Sequence, residues 1–236
     1  MILNKIKKHL LLTVLMALPV VGFAASETNS NMSEEHQRLI KSTKIGFKNV
    51  KGLDGFIFEN EKSTHQVVYL FSYSCPYCYM FSPYIQEWSR NLRDGVSYEK
   101  IPVSFANGWD ATSTAYYISK SLKIDGDSFD NSAYSYIHEK GNKIVNKDDV
   151  VKFFSINYPD IAASKVEELY DSEDIKNIKN KFDDIIDNTD VDGTPSLLVI
   201  NKKGDVKLTS PAVADGEFNS LFTVEYLIFM DKKINK

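Results

Sequence analysis

Cys75 and Cys78 are the only two cysteines in this chain of 236 residues, and Pro76 and Tyr77 separate them. Residues three apart are neighbours on one turn of a helix, so this spacing brings the two sulfurs within reach of a disulfide bond. Such a bond closes a very short loop, constrains the unfolded chain little, and is therefore a poor stabiliser of a fold. We predict that the pair performs reversible thiol–disulfide chemistry.

The elements on either side of the pair are predicted to be a buried strand and a helix. The unbroken apolar run from Val67 to Phe71 is typical of a central strand that is covered on both faces. Ser74 is a suitable N-cap residue, and Pro76 is tolerated in a first turn because its missing N–H would have no helical partner there. The cysteines are therefore predicted to lie at a strand-to-helix junction.

That position predicts different roles for the two sulfurs. Free backbone N–H groups and the helix dipole favour negative charge at a helix N-terminus, so Cys75 is predicted to be the nucleophilic and leaving thiolate. Cys78 lies one turn further into the helix and is predicted to be the resolving thiol that closes the disulfide. Pro76 stiffens the loop, and Tyr77 brings no positive charge, so the backbone and the helix end must supply most of the thiolate stabilisation.

Two other interpretations of the pair are less well supported. A structural zinc site needs about four ligands, and the histidines beyond residue 24, His36, His65 and His138, form no pair with ligand spacing. We therefore predict no metal site and no cofactor. An inert pair stays open as an alternative, because Cys-x-x-Cys alone is a short pattern.

A second candidate site is the Gly193-Thr194-Pro195 segment, directly before the strand-like run 196–201. An X-Pro bond is the one peptide bond that takes the cis form at modest cost. A cis bond would turn a backbone edge outward, where an extended peptide can pair with it. Thr194 and Pro195 are therefore candidate substrate-binding residues, although the spacing alone favours an ordinary trans proline that opens a strand.

The remaining pattern predicts an α/β sheet interrupted by a block of helices. Alternating apolar residues at Ile101, Val103 and Phe105 predict a second strand, and helical spacing follows from Trp109 to about residue 188. Further elements are predicted towards the C-terminus, namely a hairpin of strands over 196–201 and 206–209 and a helix over 217–232.

The N-terminus has the features of a secretory signal peptide. Three lysines precede an apolar run from Leu10 to Val21, and Gly22-Phe23-Ala24 is a small-x-small cleavage site. The run is too short to span a bilayer. Removal of residues 1–24 takes away those three lysines and no acidic residue, which changes the formal charge from −4 to −7. An acidic exported chain argues against a nucleic-acid partner, because phosphate contacts need clustered Lys and Arg.

Three features together resemble the DsbA-like thiol:disulfide oxidoreductases: the segment 71–79 around the cysteines, the helical block, and the segment 191–196 (Val-Asp-Gly-Thr-Pro-Ser). The resemblance runs from about residue 45 to the C-terminus. It implies an α/β thioredoxin fold with an inserted all-helical domain, and a cis bond before Pro195. The implied division is a signal peptide (1–24), a flexible N-terminal segment (25–45), a thioredoxin-like domain (46–105 and 189–236) and a helical insertion (106–188).

The same resemblance implies an activity and partners. It implies a periplasmic oxidase that passes its disulfide to exported proteins with free cysteines and is reoxidised by a DsbB-like, quinone-linked membrane protein. We further predict a monomer that binds no nucleic acid. A disulfide isomerase or reductase of the periplasm stays open as an alternative, as does a chaperone that binds peptides without redox chemistry.

The chain departs from the family pattern at three positions near the cysteines. Tyr77 stands where the familiar form has His, which removes a possible cation beside the thiolate. Tyr69 occupies the place of a buried acidic residue, although Lys100 keeps its basic counterpart. Thr194 replaces the common Val, and Thr at this position is also typical of disulfide isomerases. These positions bear on the redox potential and on the choice between oxidase and isomerase.

Overall fold

The computed structural model describes residues 43–51, 63–187 and 189–234. The predicted signal peptide lies outside the described residues, as does the predicted flexible segment 25–45 except for residues 43–45. Within the described ranges, no helix is long and apolar enough to cross a membrane.

A mixed sheet forms the centre of the described structure. Its strands are β1 (Lys48–Asn49), β2 (His65–Phe71), β3 (Val96–Pro102), β4 (Ser196–Asn201) and β5 (Val206–Thr209), in the spatial order β1-β5-β4-β2-β3. β2 and β3 are parallel, and the other neighbouring pairs are antiparallel. The parallel pair is connected by a helix, as its geometry requires.

Helix α1 (Pro76–Ser89) makes that connection, and most of the other helices lie between β3 and β4. They are α2 (Trp109–Ser121), α3 (Gly126–Tyr134), a π-helical turn (Ser135–Glu139), α4 (Lys147–Asn157), α5 (Ala163–Asp171) and α6 (Glu173–Asp187). After β5 come the short helix α7 (Pro211–Ala214) and the C-terminal helix α8 (Glu217–Ile234). The result is the predicted α/β sheet with a helical insertion.

β2 is buried on both faces, and its alternating side chains enter two different cores. Val67, Tyr69 and Phe71 belong to a large cluster that includes α1, α8 and the helical insertion. Val68 and Leu70 pack into a smaller cluster on the opposite face of the sheet. Because side chains alternate along a strand, this central strand needs an apolar residue at nearly every position. Burial on both faces therefore explains the unbroken apolar run from Val67 to Phe71.

The strand predicted from Ile101, Val103 and Phe105 begins earlier than expected. β3 pairs with β2 from His65 opposite Val96 to Phe71 opposite Pro102, so it ends where β2 ends. Phe105 lies beyond the strand and is exposed. The predicted hairpin is confirmed over β4 and β5, and the predicted terminal helix is confirmed as α8.

Candidate active site

The cysteine pair lies where β2 gives way to α1, but the helix begins one residue later than predicted. Cys75 itself is the N-cap, in an extended conformation, and its sulfur accepts a hydrogen bond from the backbone N–H of Cys78 at 3.4 Å. Ser74 is not the cap, because it belongs to the preceding turn, where its N–H donates to Ser72 Oγ at 3.2 Å. A sulfur thus occupies the position in which a capping oxygen usually stabilises a helix N-terminus.

Hydrogen bonds to the Cys75 sulfur lower the pKa of this thiol from its ordinary 9.0 to about 6. The largest cause is the side chain of Cys78, and Thr194 and the backbone N–H groups of Cys78 and Tyr77 add to it. Burial acts in the opposite direction, because it disfavours the charged form. No cationic side chain is needed for this effect, in agreement with the presence of tyrosine at position 77.

The pKa of Cys78 moves the other way. Burial raises it well above its ordinary value, and the neighbouring Cys75 raises it further. The Cys78 side chain is fully buried in the large core cluster. In the reduced protein near neutral pH, Cys75 is therefore the thiolate and Cys78 the thiol, which is the asymmetry expected of a nucleophile and a resolving partner.

Thr194 and Pro195 lie against the cysteines, although they are separated from them by the whole helical insertion. The Thr194–Pro195 peptide bond is cis, as the resemblance implied and contrary to the trans form that spacing alone favoured. Cys75 Sγ lies 3.5 Å from the Thr194 carbonyl oxygen. The Thr194 hydroxyl is buried and makes no well-formed hydrogen bond to the described residues, although it interacts with both cysteine sulfurs.

The inner dipeptide of the motif faces outward. Pro76 is exposed, and 66% of the Tyr77 surface is accessible. Cys75, by contrast, is only 3% exposed. A partner that approaches the sulfur therefore meets the ring of Tyr77 beside it.

The acid that pairs with Lys100 comes from the helical insertion rather than from the sheet. Lys100 lies opposite Tyr69 in the register of β2 and β3, and its ammonium group forms an ion pair with the buried Asp130 of α3. The hydroxyl of Tyr73 donates to the other oxygen of Asp130 at 2.6 Å. Asp130 was not predicted as a site residue. It lies on a predicted helix thirty residues after Lys100, and no sequence pattern connects the two positions.

His138 is a second residue of the insertion that contacts the site and was not predicted to do so. Its Nε2 lies 2.8 Å from the carbonyl oxygen of Tyr73, and a carbonyl oxygen only accepts, so Nε2 carries the proton. The imidazole ring stacks on Tyr79 with 4.9 Å between ring centroids. The π-helical turn that carries His138 therefore holds the backbone just before Cys75. Within the described ranges, no cluster of three or more potential ligand side chains is placed to hold a metal ion.

The sheet order, the inserted helices and a cysteine pair that caps a helix beside a cis-proline loop define a class of protein. This class has the thioredoxin fold with a helical insertion and carries a Cys-x-x-Cys redox site.

Comparisons with known proteins agree with that class. No family model matches the chain. The chain is 26% identical over 167 residues to the thiol:disulfide interchange protein DsbA of Azotobacter vinelandii, covering 71% of this chain and 75% of the relative. It is 24% identical over 230 residues to DsbA of Pseudomonas aeruginosa, covering 97% of this chain and 99% of the relative. The crystal structure of P. aeruginosa DsbA superposes with a TM-score of 0.69 at 22% identity, covering 81% of this chain and 94% of that one.

These similarities confirm the resemblance to DsbA-like thiol:disulfide oxidoreductases and the thioredoxin fold with a helical insertion. The predicted enzyme class, a protein-disulfide oxidoreductase, is confirmed with them.

Proposed function

We propose that this protein introduces disulfides into exported proteins by exchange through its Cys-Pro-Tyr-Cys site (residues 75–78). The unequal placement of the two sulfurs carries the proposal. Cys75 Sγ caps the helix N-terminus and accepts a hydrogen bond from the Cys78 N–H, whereas Cys78 is fully buried, so their pKa values move in opposite directions. A sulfur that is stable as a thiolate attacks disulfides and is also a good leaving group from them. Its partner stays protonated until it closes the disulfide.

The reaction starts from the oxidised Cys75–Cys78 pair. A substrate thiolate attacks Cys75 Sγ, the Sγ–Sγ bond breaks, and Cys78 leaves as a thiolate that takes up a proton. The second thiolate of the substrate then attacks the substrate sulfur of the mixed disulfide and expels Cys75 as its stabilised thiolate. Two electrons have moved from the substrate to the cysteine pair, and the substrate holds a new disulfide.

Stabilisation of the Cys75 thiolate favours this direction. A pKa of about 6 instead of 9.0 stabilises the reduced form at pH 7 by on the order of 1 kcal/mol, which makes the couple more oxidising by roughly 30 mV. This contribution supports an oxidase of moderate strength rather than an extreme one.

Thr194 and Pro195 are proposed to bind the substrate beside the sulfur. The Thr194 carbonyl faces Cys75, so an extended peptide that pairs with this backbone edge would carry its own cysteine to the attacking position. The exposed ring of Tyr77 supplies apolar surface next to it. The backbone edge at Thr194 and the ring of Tyr77 suit substrates that are still unfolded, because they bind backbone and apolar surface rather than a specific sequence.

The location and the remaining partners follow from the same proposal. A signal peptide cleaved near Ala24 would deliver the protein to the periplasm, where newly exported proteins with free cysteines are its substrates. A DsbB-like, quinone-linked membrane protein would reoxidise it, and it would act as a monomer without a cofactor.

A disulfide isomerase or reductase is the second candidate, and Tyr77 and Thr194 are the residues that favour it. Equilibration of the mature protein with reduced and oxidised glutathione separates the two. A couple more oxidising than glutathione, together with rapid oxidation of a reduced unfolded substrate, is the expected result. A couple as reducing as thioredoxin would count against the oxidase. Retention of activity by Cys75→Ser would count against redox chemistry altogether and favour a chaperone.

A further inference from the structure

A cavity of about 100 Å³ with a mixed polar and apolar lining lies beneath the active site, between the sheet, α1 and the helical insertion. Its walls include Tyr69 of β2, Lys100 of β3, and Asp130 and Tyr134 of α3. A water molecule needs only about 10–15 Å³ of such space and a few polar partners, and these four side chains supply polar partners, so the cavity can hold water. The exposed Lys120 also lines it, so the cavity extends to the protein surface.

Two tyrosine hydroxyls in this cavity are unusual. Those of Tyr69 and Tyr134 are buried, and neither makes a well-formed hydrogen bond to the described residues. The Tyr69 hydroxyl nevertheless interacts with the Cys78 sulfur and with the Tyr134 hydroxyl. Buried hydroxyls are normally hydrogen-bonded, because desolvation without a partner costs free energy. Burial raises the pKa of both phenols well above the ordinary value, and the neighbouring Cys78 adds to the effect in each. Both therefore stay protonated and lie within electrostatic range of the resolving sulfur.

Cys78 needs a route for its proton, and this need rests on the proposed function. When the reduced protein is reoxidised, Cys75 first forms a mixed disulfide with the oxidant. Cys78 must then lose its proton and attack Cys75 Sγ, which closes the Cys75–Cys78 bond and releases the oxidant as a thiolate. Cys78 is fully buried, so bulk water does not reach its thiol directly.

We infer that the hydroxyls of Tyr69 and Tyr134, with water in the cavity, conduct the proton from Cys78 to the carboxylate of Asp130 and on to solvent. Each hydroxyl accepts a proton on one side and donates one on the other, so neither changes charge overall. The ion pair with Lys100 and the hydrogen bond from Tyr73 hold the Asp130 carboxylate in place. The helical insertion thereby takes part in the reaction and does not only cover the site.

The test follows reoxidation by oxidised glutathione in two steps. Acid quenching at short times and mass spectrometry separate the formation of glutathionylated Cys75 from its resolution by Cys78. We expect Tyr69→Phe and Tyr134→Phe each to slow resolution about tenfold or more. This is less than the roughly hundredfold or larger effect of losing assisted proton transfer completely. Formation of the mixed disulfide, which needs only Cys75, should not change. The double variant should be little slower than either single variant, since both interrupt one route.

Tyr117→Phe is the matched control. Its hydroxyl is also buried and makes no well-formed hydrogen bond to the described residues, but Tyr117 does not line the cavity. Both steps should be unchanged in this variant. In D₂O, resolution by the wild-type protein should slow more than mixed-disulfide formation does.

An unchanged resolution rate in the double variant, or an equal loss in Tyr117→Phe, would overturn the proton route. A normal rate of mixed-disulfide formation in each variant shows that its active site is folded. If the wild-type protein formed no mixed disulfide at all, the proposed function would fail together with the route. If the wild type exchanges disulfides normally and the variants resolve the mixed disulfide at the wild-type rate, only the proton route is wrong and the proposed function stands.

Discussion

Cys75 Sγ lies 3.5 Å from the carbonyl oxygen of Thr194, a residue 119 positions later in the chain. The contact joins the helix N-terminus that holds the cysteine to the loop before β4. The whole helical insertion lies between them in sequence, yet β2 and β4 are neighbours in the sheet. The sheet therefore places the reactive sulfur and the candidate peptide-binding edge side by side.

Removal of the Cys78 side chain should raise the pKa of Cys75. The Cys78 side chain is the largest cause of the shift to about 6, so Cys78→Ala should move the pKa towards 9.0 by on the order of one unit. Cys78→Ser keeps a donor and should move it less. The ultraviolet absorbance of the thiolate, followed against pH in the reduced proteins, measures this. Equal pKa values in Cys78→Ala and wild type would contradict the assignment.

The stability of the reduced protein should rise with pH. The folded pKa of Cys75, about 6, lies below its ordinary 9.0, so the unfolded state binds more protons between these values and stability increases with pH. The contribution is fully present above pH 9 and is lost as pH falls through 6. Between pH 6 and pH 8 it amounts to about 2 kcal/mol.

Urea unfolding of the reduced protein at these two pH values measures the change, and Cys75→Ala is the control that should lack it. Cys78 does not interfere in this window, because its raised pKa lowers stability only above about pH 9. If the stability of Cys75→Ala rises with pH as steeply as that of the wild type, the pH dependence belongs to other groups.

Loss of the Asp130 charge should destabilise the fold. Asp130→Asn keeps an acceptor for Tyr73 but leaves the mostly buried Lys100 without its carboxylate. The free energy of unfolding should fall by about 3 kcal/mol, which is the lower end of the range for a broken buried ion pair. Chemical denaturation measures the loss. The double variant Lys100→Met with Asp130→Asn should lose less than Asp130→Asn alone, and an equal or larger loss would show that the ion pair is not the cause.

A histidine at position 77 should make the couple more oxidising. The side chain of Tyr77 is largely exposed, so Tyr77→His fits without repacking and places a partly protonated imidazole near the Cys75 thiolate. Solvent screens the charge, and the pKa of Cys75 should fall by less than about one unit, or less than about 30 mV in potential. Equilibration with glutathione measures the shift. Tyr77→Phe, which adds no charge, should leave the potential unchanged.

Much of the candidate redox site was predictable from sequence because its signals are local. Cys75 and Cys78, the strand before them and the helix after them all lie within residues 65–89. The helix N-terminus then assigns a lower pKa to the first sulfur. The cap was misplaced by one residue, since a cysteine sulfur acts as the hydrogen-bond acceptor that Ser74 was expected to supply.

Only the tertiary structure decided which distant residues complete the site. Asp130, Tyr134 and His138 reach it because the helical insertion packs over α1 and β3, and this packing rests on nonlocal apolar contacts that no short pattern records. By itself, the sequence determined that the chain has one closely spaced cysteine pair at a strand-to-helix junction, and it predicted that the two sulfurs are unequal. The fold decided what surrounds them: a carbonyl from the cis-proline loop at Cys75, and a buried lysine–aspartate pair beside a tyrosine-lined cavity beneath Cys78.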